Sequence, residues 1–159
     1  MIPQYSEGMP YVKINAEKET IVIDKKRSDE LERFYETYTE ESRIAISEDY
    51  AKGLHTFLRT VKKRFKFLKG HVTGPLTFTL GLKDTEGKLV YYDEELREIS
   101  LMLLKAKIRW QIDVLKQFAD NVIIFIDEPI LSALGSTAYM GVNPGDAMRL
   151  LKETSDTIK

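Results

Sequence analysis

The chain has 159 residues, a length that suits one ordinary domain built on a single core. Hydrophobic residues make up 43% and charged residues 31%, a globular balance that excludes a disordered chain. With 24 basic and 25 acidic side chains the net charge is -1, which excludes a global positive field for nucleic acid or an anionic membrane, and the lack of cysteine excludes a disulfide framework.

Tyr11-Val-Lys-Ile-Asn and Thr20-Ile-Val-Ile-Asp24 are two short β-rich runs separated by the polar stretch Ala16 to Glu19, the pattern of a β-hairpin. Ser28-Asp29-Glu30 supplies a helix N-cap with acids in the first turn, and Leu31, Phe34, Tyr35 and Tyr38 share one side of the helix that follows. A second helix is predicted from about Ser47, with Tyr50, Leu54, Phe57, Leu58, Val61 and Phe65 as its core-facing stripe.

Phe67-Leu-Lys-Gly-His-Val-Thr73 is β-compatible and stopped by Gly74-Pro75, so a strand runs into a sharp turn. A helix starts at Pro75, where the fixed φ suits the first helical position and the missing N–H costs nothing. After the polar turn Lys83-Asp-Thr-Glu-Gly87, Asp93 caps a long helix from about Glu94 to Ala119. Leu96, Ile99, Leu103, Ala106, Trp110, Val114 and Phe118 form one apolar row of it, and Leu101, Leu104, Ile108, Ile112 and Leu115 another, so both sides should be covered.

Asn121-Val-Ile-Ile-Phe-Ile-Asp127 is too continuously hydrophobic for a half-exposed strand and reads as a central parallel strand buried on both faces. A loop from Glu128 to Val142 follows, and Asn143-Pro144 opens a last helix with Ala147, Leu150, Leu151 and Ile158 inward. Strand, crossover helix, strand, helix is the alternation of a parallel α/β architecture. Two such strands are far fewer than the eight of a closed (β/α)8 barrel of about 250 residues, so the fold class is a partial TIM barrel with an N-terminal β-hairpin. The chain is read as a single segment, with the hairpin and two helices in residues 1–66 and the βαβα part in 67–159.

Chemistry gathers where such strands end. Asp127 and Glu128 are adjacent carboxylates at the end of the buried strand. Pro129 disfavours the α region for Glu128, so the strand should continue through the pair and send the two side chains to opposite sides. One then faces the mouth of the sheet, to pair with a substrate ammonium or act as an acid or base, or the pair merely caps the loop. Thr73-Gly74-Pro75 allows close approach of backbone to a ligand and turns free helical N–H groups towards an anion, or is a plain strand-to-helix turn. His71 reads as a structural histidine and His55 as a boundary residue, with no second ligand at metal spacing. Lys62-Lys63-Arg64, with Lys66 and Lys69, reads as a helix C-terminus whose cations complement the dipole, and Trp110 as core.

Lys69-Gly-His-Val-Thr-Gly-Pro-Leu-Thr77, the long helix after it and Val122-Ile-Ile-Phe-Ile-Asp-Glu-Pro129 together resemble, in order and spacing, successive segments of the C-terminal catalytic barrel of cobalamin-independent methionine synthase. The Thr-Gly-Pro element also occurs in the related uroporphyrinogen decarboxylase group, which offers a metal-free alternative. The resemblance implies a methyltransferase in which zinc holds homocysteine as its thiolate and the sulfur takes a methyl group from a folate or corrinoid donor. By the same resemblance Asp127 contacts the homocysteine amino group, Glu128 supports the site, and Thr73 and Gly74 line it. The family's His-x-Cys zinc motif and its Gly-Ser element have no counterpart here, so the chain resembles an internal segment of that barrel, without zinc ligands or turnover of its own. A non-catalytic module that docks a partner is the reading from another class.

The expected partners of a complete protein are small molecules, with neither nucleic acid nor membrane. For the isolated segment self-association is expected, because a partial barrel leaves strand edges and apolar faces open. No cysteine, no leader pattern and no apolar run of about 18 residues point to a reducing, cytoplasmic setting.

Overall fold

A computed structural model describes residues 2–15, 20–25 and 28–159. It is a mixed α/β structure in which β1 (Val12–Asn15) pairs antiparallel with β2 (Thr20–Ile23), Val12 opposite Ile23. The turn expected at residues 16–19 lies outside the described residues, as does the side chain of Ser28. A short helix, α1 (Ile2–Ser6), precedes the hairpin, and α2 (Ser28–Thr37) and α3 (Glu48–Thr60) follow it.

The stripe expected on α3 runs too far. Val61 already has extended backbone (φ -68°, ψ 130°), and Phe65 begins the strand β3 (Phe65–Thr73). Two apolar residues at helical spacing thus belong to different elements, since a period alone cannot say where the backbone leaves the helix. The helix α4 (Pro75–Gly81) starts with proline at its first turn, and β4 (Lys83–Asp84) then adds parallel to β2, Val22 opposite Lys83.

Asp93 caps α5 (Glu94–Lys116) by accepting the Leu96 N–H at 3.1 Å. One side of α5 supplies Leu96, Ile99, Leu103, Leu104, Ile108 and Leu115 to the main core. Leu101 faces a second cluster with Leu76, Leu80, Tyr91, Ala147 and Leu150. The wide apolar surface of the helix therefore serves two layers. The main core also holds Tyr5, Ile23, Phe34 and Ile46, so the hairpin and first helices share it with Val72 and Ile124 of the later strands.

The strand β5 (Ala119–Asp127) lies parallel to β3 in register from Phe65 opposite Ala119 to Thr73 opposite Asp127. Asn143 caps α6 (Pro144–Asp156) by accepting the N–H groups of Gly145 and Asp146, and two 3-10 turns punctuate the loop between. The α/β class is as expected. The described residues form a three-stranded sheet, β1-β2-β4, and a two-stranded sheet, β3-β5, and do not close a barrel.

The expectation of a central strand covered on both faces is corrected by β5, whose one strand partner among the described residues is β3. Leu68, Val72, Val122, Ile124 and Ile126 face the α5 side and belong to the core. The opposite face carries the registered pairs Phe67 with Asn121, Lys69 with Ile123, His71 with Phe125 and Thr73 with Asp127. On it Phe67, Ile123 and Phe125 are 53%, 44% and 48% exposed, so hydrophobic continuity is present without a second covering layer. Among the described residues no helix is long and apolar enough to cross a membrane.

Candidate functional site

Register places Thr73 directly beside Asp127, so both side chains leave the open face at the C-terminal ends of the two strands. The ends are tied by the Gly74 N–H, which donates to the Asp127 carbonyl at 2.8 Å. Thr73 is fully buried, and its Oγ1 has no hydrogen-bond partner among the described residues. The Asp127 side chain is half-buried, and its carboxylate makes no hydrogen bond or ion pair there. A carboxylate short of donors beside an unsatisfied hydroxyl favours a ligand that brings N–H groups, such as an ammonium.

Glu128 does something different from what its sequence context suggests. The strand stops at Asp127, Glu128 adopts φ -121° and ψ 65°, and its side chain turns back onto the start of α4. The Leu76 N–H donates to Oε1 at 2.8 Å, and the Thr77 N–H and Oγ1 donate to Oε2 at 2.8 and 2.6 Å. The expected anion site at the Thr73–Pro75 turn is thus filled from within the chain. The Glu128 carboxylate takes the free helical donors because it is a tethered anion at a positive helix end. Burial holds its carboxyl above the ordinary range, against the lowering effect of the bonds from Thr77 and Leu76.

The same contact explains Gly74. A Cβ there would overlap the Glu128 carboxyl group, so the close approach that glycine permits is used by Glu128. Gly70 has a parallel role. A Cβ on it would overlap the amide of Gln111, whose Nε2 crosses the strand to donate to the His71 carbonyl at 3.0 Å.

Tyr5 is the residue that the sequence did not bring forward. It is 1% exposed, its hydroxyl donates to the same His71 carbonyl at 2.6 Å, and its ring meets the His71 ring edge-on at 6.4 Å. Burial raises its phenol well above the usual range, the Gln111 bond opposes this, and the charge of Asp127 adds to it. A lone tyrosine in a five-residue helix carries no periodic signal, although a glycine inside a strand does mark a close approach of some side chain.

The remaining candidates separate. His71 lies exposed on the open face, and its ring makes no hydrogen bond among the described residues, which differs from the satisfied structural histidine expected. His55 bonds through Nε2 to the Ile46 carbonyl at 2.7 Å and sits beside the Trp110 ring, at the core boundary as read. The basic cluster starts just past the C-terminal end of α3 and runs on into β3. Arg64 pairs with Asp120 at 2.6 Å, and Lys63, Lys66 and Lys69 lie over the rings of Phe65, Phe67 and Phe125 at 4.9, 5.8 and 3.9 Å.

An open groove of about 450 Å³, lined by Ile126, Leu131, Met148 and Leu151 among others, lies between β5 and α6. Glu128 also lines it, whereas Ile126 points to the opposite side of β5 from Asp127, so the groove and the Asp127 carboxylate do not form one site. The zinc that the resemblance implies finds no donor set here. Among the described residues no three His, Asp or Glu side chains converge as a metal-holding group, and the chain lacks cysteine. No protein-family model, curated protein or solved structure matches the chain.

Proposed function

We propose that the chain supplies the amine-binding wall of a TIM-barrel methyltransferase that resembles cobalamin-independent methionine synthase, with Asp127 receiving the ammonium of homocysteine. One observation carries the reading: the Asp127 carboxylate has no hydrogen-bonding partner among the described residues and stands at the C-terminal end of a parallel strand, in register with Thr73. Active sites of parallel α/β sheets gather at that end.

In this reading Asp127 orients the substrate by its amine, Thr73 stands buried beside it in register, and Glu128 fixes the turn that follows Thr73 by capping α4. This reading assigns no metal chemistry to the residues of this chain. Amide resonances of uniformly labelled protein, followed as homocysteine is added, test the idea. Shifts should centre on Thr73 and Asp127, disappear with Asp127→Asn and be absent with N-acetylhomocysteine. Equal shifts with the acetylated compound, or shifts that survive Asp127→Asn, would overturn it.

A further inference from the structure

The open face of β3 and β5 carries a charge pattern as well as an apolar one. Its apolar side chains are Phe67, Ile123 and Phe125, each about half exposed, and the exposed His71 stands beside Phe125. Lys69 stands towards the N-terminal end, with its ammonium 3.9 Å from the centre of the Phe125 ring, and Asp127 stands at the C-terminal end with no ion-pair partner among the described residues. Parallel strands are ordinarily buried on both faces, so this surface is suited to a second apolar layer.

We propose that the layer is the same face of a second copy of this chain, with the two sheets stacked antiparallel about a twofold axis. Charge selects both the occupant and the orientation. Lys69 and the row of Thr73 and Asp127 are four residues apart, or about 13 Å along a strand. A twofold axis across the row of His71 and Phe125 exchanges the two positions. It sets each Lys69 opposite the Thr73 of the other copy, one strand from that copy's Asp127, so that the ammonium leaning over β5 reaches the carboxylate, and it sets Phe125 on Phe125 and His71 on His71. A parallel stack would set Lys69 against Ile123 and Asp127 against Thr73, leaving both charges covered and unpaired.

Sedimentation velocity of the whole 159-residue chain over a range of concentrations tests this. The wild type should form a discrete dimer that high salt weakens. Lys69→Glu and Asp127→Lys should each weaken it by roughly tenfold or more, and the charge-swapped double variant should recover most of the loss. Phe125→Ser should give a monomer, and circular dichroism should show each variant folded. A monomeric wild type would overturn the proposal, as would a double variant no tighter than the singles, or association indifferent to all three changes. The dimer competes with an amine ligand for Asp127 but does not depend on the methyl-transfer reading. Rescue by the charge swap tests the dimer alone, and discrimination against N-acetylhomocysteine tests the ligand alone.

Discussion

The two faces of β5 carry similar apolar residues between Val122 and Ile126 and end in different surroundings. On one face Val72 and Ile124 pack beneath α5 and are 0% and 7% exposed. On the other, one residue either way along β5 from Ile124, Ile123 and Phe125 stay about half exposed. The run from Val122 to Ile126 is equally hydrophobic in both directions, so it specifies a strand that needs two layers, and the described residues supply one. Hydrophobic continuity therefore records what a strand is suited to, and the covering elements decide what it receives.

The largest test of that contrast is a charge on each face. Val72→Asp buries an unpaired carboxylate against α5 and should cost about 4 kcal/mol or more, enough to abolish cooperative folding. Ile123→Asp, measured by urea unfolding at concentrations that keep the protein monomeric, should change stability by less than about 1 kcal/mol. Comparable losses from the two would show that the open face is covered within the monomer.

A second test sharpens the helix-covered side, where Lys107 of α5 is fully buried and its ammonium donates to the Ala45 carbonyl at 3.2 Å. Burial pulls its pKa down to about 8 from an ordinary 10.5, and the charge of Glu7 opposes the shift. Between those values the unfolded chain binds more protons than the folded one. Stability should accordingly rise as pH increases through that window, by up to about 3 kcal/mol. Lys107→Met should flatten the rise and stabilise the protein near neutrality, which thermal unfolding at several pH values would reveal.

The smallest expected effect separates the adjacent carboxylates. Glu128→Gln keeps one acceptor oxygen but sets its amide NH2 against either the Leu76 or the Thr77 N–H, and should cost about 1 kcal/mol. Asp127→Asn touches no hydrogen bond among the described residues and should stay within about 0.5 kcal/mol. Equal losses in denaturant unfolding would mean that Asp127 too is a structural residue.

Much of the later half was legible because its signals are local. Pro75, Asp93 and Asn143 each stand beside the helix they start, and the period of α5 extends over 23 residues. Elements defined by distant partners were not legible. The pairing of Lys83 and Asp84 with Val22 and Ile23 is a backbone match made by a polar dipeptide with no pattern of its own. The five residues of α1 are too few to show a period. At the candidate site, the strand end and Asp127 could be read from the hydrophobic run and its stop. The destination of Glu128 could not, because it depends on a backbone turn after Asp127 and on donors 51 and 52 residues earlier in the chain.

That long-range cap bears on the order in which the molecule assembles. The nuclei of α5 and α6 carry their own start signals, Asp93 and Asn143, and can begin to form while the rest of the chain is still open. α4 acquires the acceptor for its first N–H groups only when β3 and β5 have come together and delivered Glu128, so its seven residues should consolidate late, after the slow closure of a non-local strand pair.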